Sequence, residues 1–113
     1  MKVEKLEERG IAVLHPKGSI IGNKETDELR SELEKLGKDG NAKAVINLSK
    51  VTYINSTGLG VLIAGYNDYK QRSGQIKLCH VSESIENVFV ITKLTSVFDI
   101  YGTEKEAIAS FAS

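Results

Sequence analysis

The sequence predicts an α/β fold, a small mixed β-sheet flanked by helices. Three observations carry that expectation. Short, β-branched apolar runs alternate with amphipathic stretches from Gly10 onward. Glycines mark the joints between them, at Gly10, Gly37, Gly40 and Ser73-Gly74. The first two strands read as a hairpin, which makes the sheet mixed rather than wholly parallel. No linker, repeat or low-complexity tract interrupts the 113 residues, a length that suits a single domain over 1–113.

Each element has its own signal. Val3 to Glu8 is mixed and reads as an edge strand, and Glu8-Arg9-Gly10 reads as a turn. Ile11 to His15 is a firmer strand, stopped by Pro16, which cannot donate to a central ladder. Gly18 to Gly22 holds Ile20 and Ile21 and fits a short strand or a loop. A helix opens at Asn23 or Lys24 and runs to about Leu36, on the stripe Leu29, Leu33, Leu36. Its other face is charged and reads as solvated surface. Gly37 and Gly40 stop it.

Ala44 to Leu48 is the expected central strand. Val51, Tyr53 and Ile54 then form an apolar connection, halted by Asn55, Ser56 and Thr57. A second helix is expected from Gly58 to about Arg72, with Leu59, Leu62, Ile63, Tyr66 and Tyr69 on one stripe. Gln75 to Val81 is the next strand, with His80 within it. Ser82 caps a third helix, in which Ile85, Val88, Phe89 and Thr92 share a side. Leu94 to Tyr101 is expected to be extended around Val97, Phe98 and Ile100. Thr103-Glu104-Lys105-Glu106 is a capping box that starts a short final helix with Ala107, Ile108 and Phe111. The expected sheet uses Ile11–His15, Ala44–Leu48, Gln75–Val81 and Val97–Tyr101.

Composition excludes several function classes. Fifteen basic and fifteen acidic residues cancel, so no cationic excess exists to neutralise phosphates, and no nucleic-acid partner is expected. Cys79 stands alone and cannot form an internal disulfide; its strand-like neighbours predict a buried thiol. Met1-Lys2-Val3-Glu4-Lys5 does not begin a signal peptide and no run has the length of a membrane span, so a cytoplasmic location without membrane insertion is expected. His15 and His80 lack an i, i+4 partner, and one cysteine leaves no zinc spacing, so both read as structural and no cofactor or metal is expected. The G-x-S-x-G elbow and the two glycine-rich phosphate loops are absent. The carboxylates are spread along exposed helix faces rather than set in apolar surroundings. Catalysis, including a hydrolase built on Ser56, is therefore the weaker reading.

The stretch with most to say is Asn55-Ser56-Thr57-Gly58. It brings two hydroxyls to a helix N-terminus, where backbone N–H groups are unpaired and negative charge is favoured. A phosphate on Ser56 is compatible with its own helix, which makes the residue a candidate reversible charge switch. The plainer alternative is that these hydroxyls only cap the helix. Tyr66, Tyr69 and Lys70 lie farther along. They read either as core and solvated face or as part of a docking surface.

At these residues the chain resembles a known family. Asn55-Ser56-Thr57-Gly58-Leu59-Gly60-Val61-Leu62, after a strand ending Asn47-Leu48, resembles the signature of the STAS domain, named for sulfate transporters and anti-sigma factor antagonists. Gly18-Ser19-Ile20-Ile21, Gly74 with Ile76 to Cys79, Leu94 to Ile100 and Glu106-Ala107-Ile108 extend the likeness over nearly the whole chain. The resemblance implies a STAS-like sandwich and a bacterial partner-switching regulator, an anti-sigma factor antagonist. It would bind an anti-sigma factor that is also a serine protein kinase and be reset by a phosphatase. The implied phosphoacceptor is Ser56, with Thr57 a second candidate, and the implied partner-binding residues are Asn55, Ser56, Thr57, Gly58 and Leu59. Many such antagonists have Asp before the serine, where this chain has Asn55; Asn keeps hydrogen bonding without the charge. That departure motivates an alternative, a non-switching STAS adaptor in a larger complex such as a lipid-transport ATPase.

Overall fold

The computed structural model describes residues 1–6, 9–40 and 42–112. The strands are β1 (Lys2–Leu6), β2 (Ile11–His15), β3 (Lys17–Ile20), β4 (Lys43–Asn47), β5 (Lys50–Ile54), β6 (Gln75–Cys79) and β7 (Asp99–Tyr101). The helices are α1 (Lys24–Lys38), α2 (Ser56–Gln71), α3 (Glu83–Ile91) and α4 (Glu104–Ser110). Five strands form one sheet in the order β1-β2-β4-β6-β7. β1 is antiparallel to β2, and every other neighbouring pair is parallel. The sheet is mixed and flanked by helices, as the alternation in sequence requires.

Burial explains why the central strands read as continuous apolar runs. Both faces of β2, β4 and β6 are covered, so beyond the exposed first residues Lys43 and Gln75 neither set of their alternating side chains is open to water. Ala12, Leu14, Ala44, Ile46, Ile76 and Leu78 pack into the main core with Leu29 and Leu33 of α1, Leu62 and Tyr69 of α2, and Phe89 of α3. Ile11, Val13, Val45 and Cys79 face the other way, onto Ala107, Ile108 and Phe111 at the C-terminal end. Lys77 shares that side. It is 5% exposed, with Nζ 2.6 Å from Ser110 Oγ and 4.4 Å from the centre of the Phe111 ring. Burying an ammonium is tolerated there because a hydroxyl and an aromatic face replace part of its hydration.

The helix starts follow their caps. Asn23 Oδ1 accepts from Thr26 N, Ser82 Oγ from Ile85 N, and Thr103 Oγ1 from Glu106 N. The Glu106 carboxylate returns to the Thr103 hydroxyl at 3.1 Å.

Four expectations need correction. Lys50–Ile54 is a strand, not a mere connection; it pairs in parallel with β3 as a separate two-stranded sheet. Only Val51 and Ile54 of that strand are buried, so its apolar pattern is too sparse to be read as a strand alone. Leu94 to Tyr101 is not extended throughout: Leu94–Ser96 is a short 3-10 helix, and the strand begins at Asp99. His80 lies outside β6, exposed, at φ +53°, because the chain turns there toward α3. The second helix starts at Ser56, two residues before Gly58. The edge strand is found as β1, but Glu7 and Glu8, which close the expected strand and open the expected turn, lie outside the described residues. Among the described residues no helix is long and apolar enough to cross a membrane.

Candidate functional site

The β3–β5 pair builds the site by bringing two helix starts together. Ile20 pairs with Ile54, so the last residue of each strand lies beside the other. Each strand then leads into a helix, β3 into α1 and β5 into α2. Asn55 N donates to the Ile20 carbonyl at 3.4 Å.

Asn55 is the N-cap of α2 and uses both ends of its side chain. Oδ1 accepts from Gly58 N at 3.0 Å, the usual cap bond. Nδ2 donates to the Ile21 carbonyl at 3.2 Å, tying the α2 start to the loop before α1. Gly58 is buried against that loop, because a Cβ there would lie 2.2 Å from the Ile20 oxygen. Gly22, at φ +98°, is the loop's other constraint, and an added Cβ would sit 3.2 Å from Thr57 Cγ2.

This geometry shows which residue caps α2. The cap is Asn55, so neither Ser56 nor Thr57 is spent on capping. Ser56 occupies the first helical position, is exposed, and takes part in none of the hydrogen bonds found among the described side chains. Thr57 follows, also exposed, with its methyl against Gly22. The first backbone N–H groups of a helix have no intrahelical partner, and they carry the positive end of the dipole. α2 has no acidic residue in its first turn, whereas α1 has Glu25 and Asp27. An anion at Ser56 therefore meets no repulsion from its own helix.

The remaining expected site residues divide by depth. Asn55 is half-buried, while Leu59 is 6% exposed and belongs to the core with Leu62. Gly58 and Leu59 thus support the loop from beneath, and Ser56 and Thr57 are its outer surface. Ile21, whose carbonyl holds Asn55, and Tyr53, two residues before Asn55, are large apolar side chains left 41% and 57% exposed. The sequence reading did not include them; the only signal was the pair of glycines around Ile20-Ile21. Tyr69 is core, 0% exposed, with its hydroxyl donating to the Leu33 carbonyl at 2.8 Å. Tyr66 is half-buried, edge-on to Phe98, and Lys70 is exposed.

The histidines stand elsewhere. His15 Nε2 lies 3.0 Å from Glu4 Oε1 and 3.4 Å from Glu104 Oε1. His80 Nε2 accepts from Glu104 N. No described contact brings an imidazole to Ser56. Cys79 is fully buried, and burial, aided by the charge of Glu104, pushes its thiol up to about 12.

The STAS domain family model matches residues 2–107. Among curated proteins, the anti-sigma-B factor antagonist of Bacillus subtilis is 39% identical over 72 residues, 64% of this chain and 65% of that protein. The anti-sigma-B factor antagonist of Staphylococcus aureus is 32% identical over 80 residues, 70% and 74% of the two chains. Among solved structures, the Bacillus cell fate determinant SpoIIAA in its phosphorylated form superposes with a TM-score of 0.76 at 19% identity, covering 97% of each chain. The paired helix starts, the mixed sheet and these matches agree: the chain belongs to the STAS domain family, among its anti-sigma factor antagonists.

Proposed function

We propose that this chain, acting as a single cytoplasmic STAS domain, is a partner-switching regulator. It binds an anti-sigma factor that is also a serine kinase, and reversible phosphorylation of Ser56 controls the complex. It works by docking rather than by catalysis, and a phosphatase restores the binding form. The observation that carries this reading is the Ser56 hydroxyl, exposed and unused at the first position of α2, with no acidic side chain in that turn. The names of the curated relatives and the existence of a phosphorylated STAS neighbour support it.

The physics of the switch is local. A phosphate brings roughly −1.5 to −2 charges at neutral pH. Its own helix tolerates that charge, but a desolvated partner surface does not. A loss of a few kcal/mol in binding is a hundredfold or more in affinity. Asn55, Ser56 and Thr57, with Ile21 and Tyr53 beside them, form the contact surface, and Gly58 and Leu59 hold it in place.

The test is capture of partners from bacterial lysate with the wild-type chain, Ser56→Ala and Ser56→Asp, followed by phosphosite mapping. Ser56→Ala should hold an anti-sigma factor constitutively, and Ser56→Asp should lose it. Stoichiometric phosphate at another residue, with normal switching by Ser56→Ala, would remove the acceptor. Asn55 favours a second reading, the non-switching adaptor. Co-purification of a lipid-transport ATPase with all three proteins alike would select it.

A further inference from the structure

A second convergence of reactive side chains lies at the end of β2, on the face of the sheet that carries α4. His15 closes β2, Glu4 comes from the neighbouring β1, and Glu104 opens α4. The His15 Nε2 atom is shut off from solvent, although the side chain as a whole is 19% exposed. Its two carboxylate neighbours are close, at 3.0 and 3.4 Å, yet neither is aligned as a hydrogen-bond partner. Asn47, buried at the end of β4, donates Nδ2 to the same Glu104 oxygen at 2.9 Å and fixes it toward the imidazole. One nitrogen and two oxygens from three different elements thus lie within 4.8 Å of one another.

We propose that Glu4, His15 and Glu104 form a binding site for one divalent transition-metal ion of the zinc class, with water completing the coordination. The spacing suits it. Tetrahedral bonds of about 2.0–2.1 Å place neighbouring ligand atoms about 3.3–3.4 Å apart. The two imidazole–carboxylate separations are already near that value. The donor set, one imidazole with two carboxylates, fits zinc, cobalt or nickel better than calcium or magnesium, which favour all-oxygen shells. Two carboxylates supply the charge that offsets a dication. Asn47 acts as the positioning partner that such ligands commonly have. The Lys2 ammonium lies 3.5 Å from the same Glu4 oxygen, but it is 72% exposed and such a pair is weakly held. A bound ion would clasp the edge strand β1 to β2 and to α4, joining the beginning of the chain to its last helix.

The same geometry can instead hold a proton, with a charged imidazole between two carboxylates. The experiment separates the two. Metal-free full-length protein is titrated with Zn²⁺ by calorimetry at neutral pH and with Co²⁺ by visible absorption, and thermal unfolding is followed with and without Zn²⁺. One equivalent should bind, with tetrahedral Co²⁺ bands and a raised Tm, since a ligand that binds the folded state stabilises it. His15→Gln and Glu104→Gln should each weaken affinity by roughly tenfold or more. Glu4→Gln, on the edge strand, serves if either of those fails to fold, and Glu34→Gln, exposed on α1 across the sheet, should bind as the wild type does. No binding above that of His15→Gln would leave only a proton clasp and overturn the site. Loss in Glu34→Gln with retention in His15→Gln would overturn it as well.

Discussion

Gly58 lies directly against Ile20: a methyl group at the glycine would come 2.2 Å from the Ile20 carbonyl oxygen. That oxygen belongs to the main chain and receives Asn55 N, so it cannot swing aside as a side chain would. Gly58→Ala should therefore destabilise the protein by about 2 kcal/mol or more, through overpacking that pushes the two loops apart. Gly60, two residues on, has open space around its Cβ position. Gly60→Ala should instead stabilise by about 0.5–1 kcal/mol, the ordinary helix gain over glycine. Urea unfolding of the pair checks both signs. Equal effects would mean the close approach does not govern.

Asn55 holds two bonds that no single replacement keeps. Asn55→Ala should cost about 1–2 kcal/mol by removing the cap. Asn55→Asp retains the acceptor toward Gly58 N but loses the donor toward the Ile21 carbonyl, setting a carboxylate against it. It should hold α2 while loosening the loop before α1. Amide hydrogen exchange around Gly22 and Asn23 reads that out, and protection there equal to wild type would count against the tether.

Charge at Ser56 should leave the fold intact. Ser56→Glu places a carboxylate in a first turn that has none, where the helix dipole stabilises it by about 0.3–1 kcal/mol. Thermal unfolding should show a Tm at or slightly above wild type. A large fall in Tm would mean that any loss of partner binding reflects damage rather than switching.

Tyr69 anchors α2 to α1 through its hydroxyl on the Leu33 carbonyl, fully buried. Tyr69→Phe removes the donor and leaves that carbonyl without it. A loss of about 1–2 kcal/mol is expected by denaturant titration. A neutral result would show that water replaces the hydroxyl.

Cys79 makes a pH-dependent contribution with a definite sign. Its thiol is raised in the folded state from 9.0 to about 12, so the native protein keeps a proton that the unfolded chain releases. The contribution is complete below the unfolded value and is lost as pH rises from about 9 toward 12, at about 1.4 kcal/mol per pH unit where only the unfolded chain has ionised. Between about pH 8.5 and 10, stability should fall more steeply for wild type than for Cys79→Ala. The native thiol should also resist Ellman's reagent until the protein unfolds. Parallel curves would show that the thiol is less shielded than its burial indicates.

Local patterns made much of this legible in advance. The covered sheet announced itself through the buried runs at Ile11–Leu14, Ala44–Leu48 and Ile76–Cys79, and the helix starts through Asn23, Ser82 and Thr103. Ser56 stood out because small polar residues break an apolar run just before a helical stripe. Two of the failures were non-local. Lys50–Ile54 is a strand only because Lys17–Ile20 lies beside it, and three of its five side chains are too exposed to betray it. Leu94–Ser96 looked extended because Val97 and Phe98 continue an apolar run, whereas Phe98 is placed by packing against Tyr66 and Phe89, with Val97 against the same core.

The amino-acid order by itself determined the α/β class, the helix caps and the presence of a hydroxyl pair where α2 begins, since each depends on neighbours within a few residues. Tertiary structure alone decided that the Asn55 side chain also ties the start of α2 to the Ile21 carbonyl, and that His15 meets Glu4 and Glu104. The reason is distance along the chain. Asn55 reaches Ile21 across 34 positions, and Asn47 reaches Glu104 across 57. Only the assembled strands bring such partners within hydrogen-bonding range.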